Sequence, residues 1–286
     1  MTKKILITGA NGELGHEMRN ALKGNNRFEC IFTDVAELDI CNTEAVKQTM
    51  ANNHIDYIVN CAAYTQVDKA EDNAELCKKI NTDAVENLAR AAADYGARMI
   101  HISTDYVFNG RGYRPYTEDM VPDPQSVYGS TKLEGEKILT DICPESIIIR
   151  TAWLYSPYGN NFVKTMLHLG EEREELSVVA DQIGTPTCAA DLAQAILQAD
   201  TFVPGTYHFS DEGVCSWYDF TVTIHRLAGI TTCRVTPIRS DEYPSKAHRP
   251  FYSVLDKSKI KKTYGLTIPH WYESLSNCIK LLQETH

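Results

Sequence analysis

A glycine-rich segment follows the first apolar run of the chain. Residues 5–7 are apolar, Gly9, Gly12 and Gly15 follow at intervals of three, and residues 14–23 have a helical pattern. Glycines at this spacing allow a tight turn and a close backbone approach, so that free N–H groups at the start of the helix can face a phosphate. A glycine loop between a strand and a helix is the context that a dinucleotide site requires. The segment therefore predicts a βαβ unit that binds a dinucleotide.

Short apolar strands alternate with helical patterns through the first half of the chain. The predicted strands are residues 5–8, 30–33, 57–61, 99–103 and 147–150. Further predicted helices are residues 42–52, 72–95 and 130–141, and residues 107–124 are predicted to form a long loop. This alternation is typical of a parallel sheet with helices on both faces. We expect an α/β fold with a Rossmann-type, doubly wound parallel sheet.

The pattern changes after residue 150. Predicted helices there are residues 162–172, 189–199, 216–227 and 269–284, and predicted strands are 177–180, 206–209 and 234–238. We interpret residues 1–150 as a dinucleotide-binding domain. Residues 151–286 are interpreted as a smaller C-terminal α/β lobe that binds the substrate, with the chain crossing back to the first domain.

Charge and cysteine content exclude several classes of protein. The net charge is −10 and the pI is near 5.4, which argues against binding to nucleic acid or to an anionic membrane, because both need a basic patch. The sequence contains no apolar run of membrane-spanning length and no signal peptide, so we expect a cytoplasmic protein. Nine scattered cysteines without a Cys-x-x-Cys motif indicate reduced thiols rather than disulfides or a zinc site.

An acidic residue follows the second predicted strand. Asp34 lies 22 residues after Gly12, the spacing of the carboxylate that binds a ribose hydroxyl in dinucleotide folds. A carboxylate there would repel the extra phosphate of NADPH, which favours NADH. An aspartate at the end of a strand is also common as an ordinary turn residue without a role in cofactor binding. Asp39 and Ile40 could flank the adenine. The sequence leaves both NADH and NADPH open.

Tyr128 and Lys132 form a candidate pair for proton transfer. Residues four apart on a helix share a face, so the phenol and the ammonium would point the same way. Tyr128 is the one tyrosine of fifteen with a lysine four residues later, but a surface pair would have the same spacing. The position of Thr104 favours function, because it ends a predicted strand at the edge where the catalytic groups of open α/β sheets collect. We expect Lys132 and the positive nicotinamide ring to lower the pKa of the phenol, and Thr104 to donate a hydrogen bond to the substrate oxygen.

Several longer motifs resemble those of the extended short-chain dehydrogenases/reductases, and most closely their dTDP-4-dehydrorhamnose reductase branch. They are residues 58–65 (IVNCAAYT), 67–71 (VDKAE), 103–108 (STDYVF), 128–136 (YGSTKLEGE), 150–155 (RTAWLY), 159–162 (GNNF) and 249–250 (RP). The resemblance extends over nearly the whole chain. It implies NADPH- or NADH-dependent reduction of the C4 ketone of a dTDP-linked 4-ketosugar.

The resemblance also implies roles for individual residues. Tyr128 would be the proton donor, Lys132 its partner, and Thr104, Asp105 and Trp153 substrate contacts. The residues implied to line the cofactor are Gly12, Glu13, Leu14, Asp34, Asp39, Ile40, Ala63, Tyr64, Thr65 and Ile102, to which the glycine loop adds Gly9 and Gly15. Arg249 is our candidate for holding the diphosphate, because arginine can bind it bidentately, although a solvated surface arginine is almost as compatible with the sequence.

One departure from the family concerns a metal. In some bacterial members, the residue at position 17 and acids at positions 190 and 191 resemble a magnesium site at a dimer interface. This chain has Glu17 and Asp191 but Ala190. The missing acid argues against a bound metal but leaves Mg²⁺ open, and both a monomer and a homodimer remain open.

Two other functions share parts of this pattern. Nucleotide-sugar epimerases and dehydratases have the same Tyr and Lys pair, but the dehydratases commonly have Thr-Asp-Glu where this chain has Tyr106 after Asp105. A regulatory subunit of methionine adenosyltransferase shares the fold but would not need an intact Tyr, Lys and Thr set. The sequence favours a simple reductase.

Overall fold

The centre of the protein is a six-stranded parallel sheet. We describe a computed structural model that covers residues 2–199 and 202–284. Its strands are β1 (Lys3–Thr8), β2 (Phe28–Thr33), β3 (Tyr57–Asn60), β4 (Arg98–Thr104), β5 (Ile147–Thr151) and β10 (Gly205–His208). The sheet order is β2-β1-β3-β4-β5-β10, and every neighbouring pair is parallel. The predicted α/β class with a doubly wound parallel sheet is confirmed.

Helices cover both faces of this sheet. The helices of the first half are α1 (Glu13–Leu22), α2 (Thr43–Asn53), α3 (Val67–Ala70), α4 (Ala74–Lys78), α5 (Ala84–Tyr95) and α6 (Val127–Ile142). Alternate side chains of each strand point to opposite faces. Ile5 and Ile7 therefore pack with α1 and α8 (Ala189–Gln198) on one face, whereas Leu6 packs with α2, α5 and α6 on the other.

The strand order determines where a ligand would bind. The chain runs from β1 outward to β2 and then returns to β3 on the other side of β1, so the connections that follow β1 and β3 lead in opposite directions and leave a crevice at the carboxyl ends of these strands. Open α/β sheets bind their ligands at such a switch point. The glycine loop directly follows β1 and lies at this point.

The second half of the chain adds both a strand to the main sheet and a separate cluster of small elements. These elements are β6 (Leu154–Tyr155), α7 (Phe162–Glu172), β7 (Glu175–Val179), β8 (Ile183–Gly184), β9 (Thr187–Cys188), β11 (Cys215–Ser216), α9 (Trp217–Ala228), β12 (Arg234–Ile238), α10 (Ser258–Tyr264) and α11 (Trp271–Glu284). Three two-stranded sheets pair β7 with β12, β8 with β11 and β6 with β9. Tyr155, Phe220 and Trp271 belong to the apolar core of this cluster. The division of the chain at residue 150 stays a prediction.

One predicted helix is interrupted. Residues 72–95 were expected to form a single helix, but the structure has α4, then a π-helical turn Lys79–Asp83, and then α5. Asn81 lies in that turn, and its amide accepts a hydrogen bond from the Tyr64 nitrogen (2.9 Å) and donates one to the Tyr64 oxygen (3.1 Å). Side-chain bonding of this kind is invisible to helical periodicity. π-helical turns often accompany functional sites, and this one fixes the loop after β3.

The nine cysteines all have free thiols. Within residues 2–199 and 202–284, every helix is too short or too polar to cross a membrane.

Candidate active site

A cavity of about 510 Å³ opens at the carboxyl ends of β1, β3, β4 and β5. The site residues predicted from the sequence that line this cavity are Gly9, Gly12, Glu13, Leu14, Ala63, Thr65, Ile102, Thr104, Asp105, Tyr128, Lys132, Trp153 and Arg249. The structure thus brings the glycine loop, the tyrosine and lysine pair and the candidate substrate contacts to one cleft. We call Thr104, Tyr128 and Lys132 the sheet wall, and Trp153, Trp217 and Arg249 the lobe wall.

The glycine loop packs closely against its neighbours. Gly9 has φ +65°, and a Cβ there would lie 2.6 Å from the Ala62 nitrogen. A Cβ on Gly15 would collide with the carbonyl oxygen of Gly9. Gly12 is the N-cap of α1 and supplies no side-chain hydrogen bond to the first turn, so amides at that helix terminus are available to an anion. The loop fits the pyrophosphate of a dinucleotide.

Tyr128 lies in the first turn of α6. Ser126 caps this helix, since its hydroxyl accepts a hydrogen bond from the Gly129 nitrogen at 3.1 Å. The Tyr128 ring meets Tyr106 edge to face with 5.4 Å between centroids, and Tyr128 and Thr104 line the same cleft. Burial is the main influence on the phenol and raises its pKa. The expected lowering of this pKa is therefore not seen, because desolvation dominates.

Lys132 is 1% exposed, and its amine is bound on the sheet side of the cleft. The amine donates to the Ile102 carbonyl oxygen at 2.6 Å and lies 3.2 Å from Nε2 of His101. Burial lowers the pKa of Lys132 to about 8, against an opposing influence from Glu136. These contacts explain why Lys132 does not acidify the phenol in this arrangement.

Thr104 and Asp105 end the fourth strand. The Thr104 hydroxyl donates to the Asp105 carboxylate at 2.9 Å and accepts from the Tyr106 nitrogen at 3.2 Å. Its proton is thus already used, whereas the sequence led us to expect donation to a substrate oxygen. Asp105 is 3% exposed, and burial raises its pKa to about 7.

Aromatic and charged residues from the second half of the chain form the lobe wall. Trp153 stacks on Trp217 with 3.5 Å between ring centroids, and its φ of +49° is a left-handed conformation that a tryptophan rarely adopts. Arg249 Nη2 binds Asp68 Oδ2 at 2.6 Å, and its Nε donates to the Ser245 hydroxyl at 3.1 Å. The Arg249 side chain is 29% exposed, so it is neither fully buried nor freely solvated.

Some predicted cofactor contacts lie outside the lining of the cavity. Asp34 accepts hydrogen bonds from the Asn11 nitrogen (2.9 Å) and the Val35 nitrogen (2.8 Å), beside the glycine loop. Asp39 is exposed and binds the Cys41 nitrogen, and Ile40 packs in the apolar core under α2 and α5. Tyr64 is held through its backbone by Asn81. Their proposed contacts with a cofactor stay predictions.

The residues of the implied magnesium site are bound by the protein itself. Glu17 accepts a hydrogen bond from Ser156 at 3.3 Å, and Asp191 accepts one from Ser274 at 2.6 Å. In the described part of the chain, no group of three or more His, Cys, Asp or Glu side chains could hold a metal. Glu17 and Asp191 are thus each engaged within the chain, and the expectation about magnesium stays a prediction.

Comparison with known proteins agrees with this geometry. The family described as RmlD substrate binding domain matches residues 3–284. A protein of Aggregatibacter actinomycetemcomitans named dTDP-4-dehydrorhamnose reductase is 40% identical over 286 residues, covering 96% of this chain and 97% of that protein. The chain belongs to this reductase family. Its members are NAD(P)-dependent oxidoreductases.

Solved structures of the reductase family superpose closely on the chain. A dTDP-4-dehydrorhamnose reductase of Clostridium acetobutylicum is 49% identical, with a TM-score of 0.95 over 98% of this chain and 99% of that one. A second, from Bacillus anthracis in complex with NADP, is 40% identical with a TM-score of 0.95 over 98% and 100% of the two chains.

Sequence reasoning missed several residues of the cleft and its support. Trp217, at the start of α9, stacks on Trp153 in the lobe wall. Asp68 binds Arg249, which follows it by 181 residues, and His101 contacts Lys132, which follows it by 31 residues. A buried histidine inside an apolar strand is a signal that could have been noticed. The other two had none, because their partners come from distant parts of the chain.

Proposed function

We propose that this chain reduces the C4 ketone of dTDP-4-dehydro-L-rhamnose to dTDP-L-rhamnose with NADPH or NADH, and that Tyr128 donates the proton. The observation that carries the proposal is the convergence of the glycine loop, Tyr128, Lys132 and Thr104 on one cleft. The name of the relatives and the NADP complex of the Bacillus anthracis protein support it.

The sheet side of the cleft would hold the dinucleotide. The glycine loop and the amides at the start of α1 would bind the pyrophosphate, and Ala63, Thr65 and Ile102 would lie against the nicotinamide half. When bound, the reduced nicotinamide supplies a hydride to the ketone carbon. The carboxylate of Asp34 lies beside the loop, where it could meet the adenosine ribose.

Tyr128 is suited to act as an acid in this direction. The raised pKa keeps the phenol protonated near neutral pH, so the proton is present when the ketone oxygen gains negative charge. An alkoxide is a stronger base than an ordinary phenolate, so the phenol is able to give its proton to the reduced oxygen. Thr104 would help to position the phenol, because it lines the same cleft and Asp105 holds its hydroxyl in place.

The lobe wall would hold the nucleotide sugar. The chain has a net charge of −10, so a diphosphate needs a local cation. Arg249 lines the cleft, and Asp68 and Ser245 fix its guanidinium. Trp153 and its stack with Trp217 offer a flat apolar surface to a sugar or base ring. Arg249 would thus bind the diphosphate while the tryptophans set the position of the sugar.

A coenzyme-oxidation assay tests the proposal. The purified protein is mixed with dTDP-4-dehydro-L-rhamnose and either NADPH or NADH, and absorbance and the sugar product are followed together. We expect one coenzyme to be oxidised per dTDP-L-rhamnose formed. An epimerase would interconvert sugars without net oxidation, and a regulatory subunit would show no turnover; either result would contradict the proposal. The ratio of kcat/KM for the two coenzymes decides whether Asp34 excludes NADPH.

A further inference from the structure

A row of buried polar side chains crosses three adjacent strands beneath the cleft. Thr8 of β1 is in register with Asn60 of β3, and Asn60 is in register with His101 of β4. All three point to the face of the sheet that α5 and α6 cover, and each is at most 1% exposed. Lys132 of α6 completes the row, because its amine lies 3.2 Å from Nε2 of His101. Buried polar atoms need complementary partners, so donors and acceptors along this row constrain one another.

The amide of Asn60 has a fixed orientation. Its oxygen accepts from the Thr8 hydroxyl at 2.7 Å and from the backbone nitrogen of Ala62 at 3.2 Å. The Ala62 nitrogen can only donate, so the atom that faces it must be the amide oxygen. The NH₂ group of Asn60 then faces His101 Nδ1 at 3.0 Å.

This orientation fixes the tautomer of His101. An NH₂ group is a donor, so Nδ1 must be the acceptor, and the proton of a neutral imidazole then resides on Nε2. Burial and the neighbouring Lys132 lower the pKa of His101 well below its usual range, which keeps the ring neutral. His101 therefore presents an N–H group to the amine of Lys132.

A charged lysine cannot satisfy this contact. An ammonium group has three N–H donors and no acceptor, whereas an uncharged amine has two donors and one lone pair. In the uncharged form, the lone pair of Lys132 accepts from His101 Nε2–H and one N–H donates to the Ile102 carbonyl oxygen at 2.6 Å. The hydrogen-bond pattern of this row is the pattern of an uncharged lysine.

Few charges near Lys132 oppose this state. Glu136 on the same helix is neutralised by Arg150 of β5, with Nη2 to Oε2 at 2.6 Å and both side chains about 5% exposed. Cys77 of α4 is hydrogen-bonded to Thr131, and burial raises the pKa of its thiol. The phenol of Tyr128 is protonated, because burial raises its pKa. Burial itself lowers the pKa of Lys132 to about 8.

We propose that His101 is a positioning residue that favours the uncharged form of Lys132 and turns its amine toward the sheet, and that above neutral pH the binding of the anionic dinucleotide is coupled to uptake of one proton by Lys132. The protonated amine would leave His101 and turn to the cleft. This inference rests on the proposed function only as far as dinucleotide binding.

The sign of the coupling follows from linkage. An anion bound beside Lys132 favours its charged form and raises its pKa, so protons are taken up between the free and the bound pKa values. We expect little uptake by Lys132 near pH 7, where it is already largely protonated, and close to one proton near pH 9. Dinucleotide affinity should fall as the pH rises above about 8, the pKa of Lys132.

Calorimetric titration measures this uptake directly. NADPH is titrated into the full-length protein between pH 6.5 and 9.5 in pairs of buffers with different ionisation enthalpies, and the difference in heat gives the protons bound. Glu13 lines the same cleft, and burial raises its pKa to about 7. The titration is therefore repeated with the Glu13→Gln variant, a second background in which Glu13 cannot take up a proton near neutral pH. Binding without uptake near pH 9 in both backgrounds would overturn this inference alone. Failure of both NADPH and NADH to bind would overturn the proposed function as well.

Two variants assign the proton. Lys132→Met should bind NADPH without uptake near pH 9. His101→Asn removes the donor to the amine, so Lys132 should stay protonated to higher pH and the onset of uptake should shift upward. His225→Asn is the matched control, because His225 is 4% exposed and its Nε2 lies 2.9 Å from the Met166 carbonyl oxygen, away from this row. Uptake unchanged in Lys132→Met, or equal onsets in His101→Asn and His225→Asn, would contradict the assignment.

The tautomer of His101 can be tested without a variant. Long-range ¹H–¹⁵N NMR spectra of the wild-type protein above pH 8 should show His101 as the Nε2–H tautomer. A purely structural histidine would not require that tautomer. An Nδ1–H tautomer or a charged ring would overturn the inference.

Discussion

The two walls of the cleft are built in different ways. The sheet wall is formed by strand ends and one helix, and Lys132 and Thr104 there are at most 4% exposed and bound to other buried groups. The lobe wall is formed by Trp153, Trp217 and Arg249, which loops and one helix start bring together and which remain partly exposed. A rigid wall suits chemistry that needs fixed geometry, whereas an accessible wall suits capture of a large anionic substrate. The comparison predicts that changes in the sheet wall affect kcat and stability, and that changes in the lobe wall affect KM.

The largest expected effect tests the support behind the sheet wall. Arg150→Met leaves Glu136 buried without its partner, and loss of one member of a buried pair costs about 3–5 kcal/mol. We expect that decrease in the free energy of unfolding, measured with urea. Arg90→Met is the control, since Arg90 pairs with Glu86 on the surface with 58% and 36% of the side chains exposed, and such a pair contributes less than about 1 kcal/mol. Equal losses in the two variants would show that the sheet wall is not supported as described.

The next effect separates chemistry from binding. Tyr128→Phe removes the proton donor and leaves the ring, so kcat should fall roughly a hundredfold or more while the Kd for NADPH changes little. Steady-state kinetics and titration of the coenzyme measure both. Tyr113→Phe, at a residue 83% exposed, should change neither. A Tyr128→Phe enzyme that kept most of its kcat would remove Tyr128 from the role of acid.

A smaller effect is expected in the lobe wall. Arg249→Lys keeps the charge but loses the fork geometry that binds a diphosphate, and a charge-assisted hydrogen bond is worth about 1.5–3 kcal/mol. The KM for the nucleotide sugar should rise roughly tenfold or more, with a smaller change in kcat. Arg239→Lys, at a side chain 72% exposed and outside the cleft, provides the control. A change confined to kcat would place Arg249 with the chemistry and break the comparison.

The smallest effect concerns pH. Glu13 lies at the first turn of α1, and burial raises its pKa to about 7. Above that pH its carboxylate is ionised beside the expected pyrophosphate site, and two such charges at about 4 Å repel by roughly 1 kcal/mol or more. NADPH affinity should therefore fall several-fold between pH 6 and 8 in the wild type and less in Glu13→Gln. Identical profiles would show that Glu13 does not face the phosphates.

The sheet wall could be predicted from the sequence better than the lobe wall. The glycine spacing and the four-residue separation of Tyr128 and Lys132 are local patterns, and strand alternation predicts the edge at which they meet. The stack of Trp153 on Trp217 and the pair of Arg249 with Asp68 join segments far apart in the chain. No local period encodes such contacts.

Electrostatics were predicted least well. The sign expected for Lys132 acting on Tyr128 is correct for two exposed neighbours, but desolvation of both groups outweighs it in the folded protein. The amine of Lys132 also contacts His101 instead of the phenol. Burial depth and buried partners are properties of the packed fold, so the spacing of the pair could not show them.

The central claim is that Tyr128 protonates the reduced sugar. A crystal structure of the protein with the oxidised coenzyme and dTDP-L-rhamnose tests it most directly. We expect the Tyr128 hydroxyl within about 2.6–3.2 Å of the C4 oxygen of the sugar, with nicotinamide C4 facing the sugar carbon. A phenol turned away from that oxygen, with another acidic side chain in its place, would contradict the account.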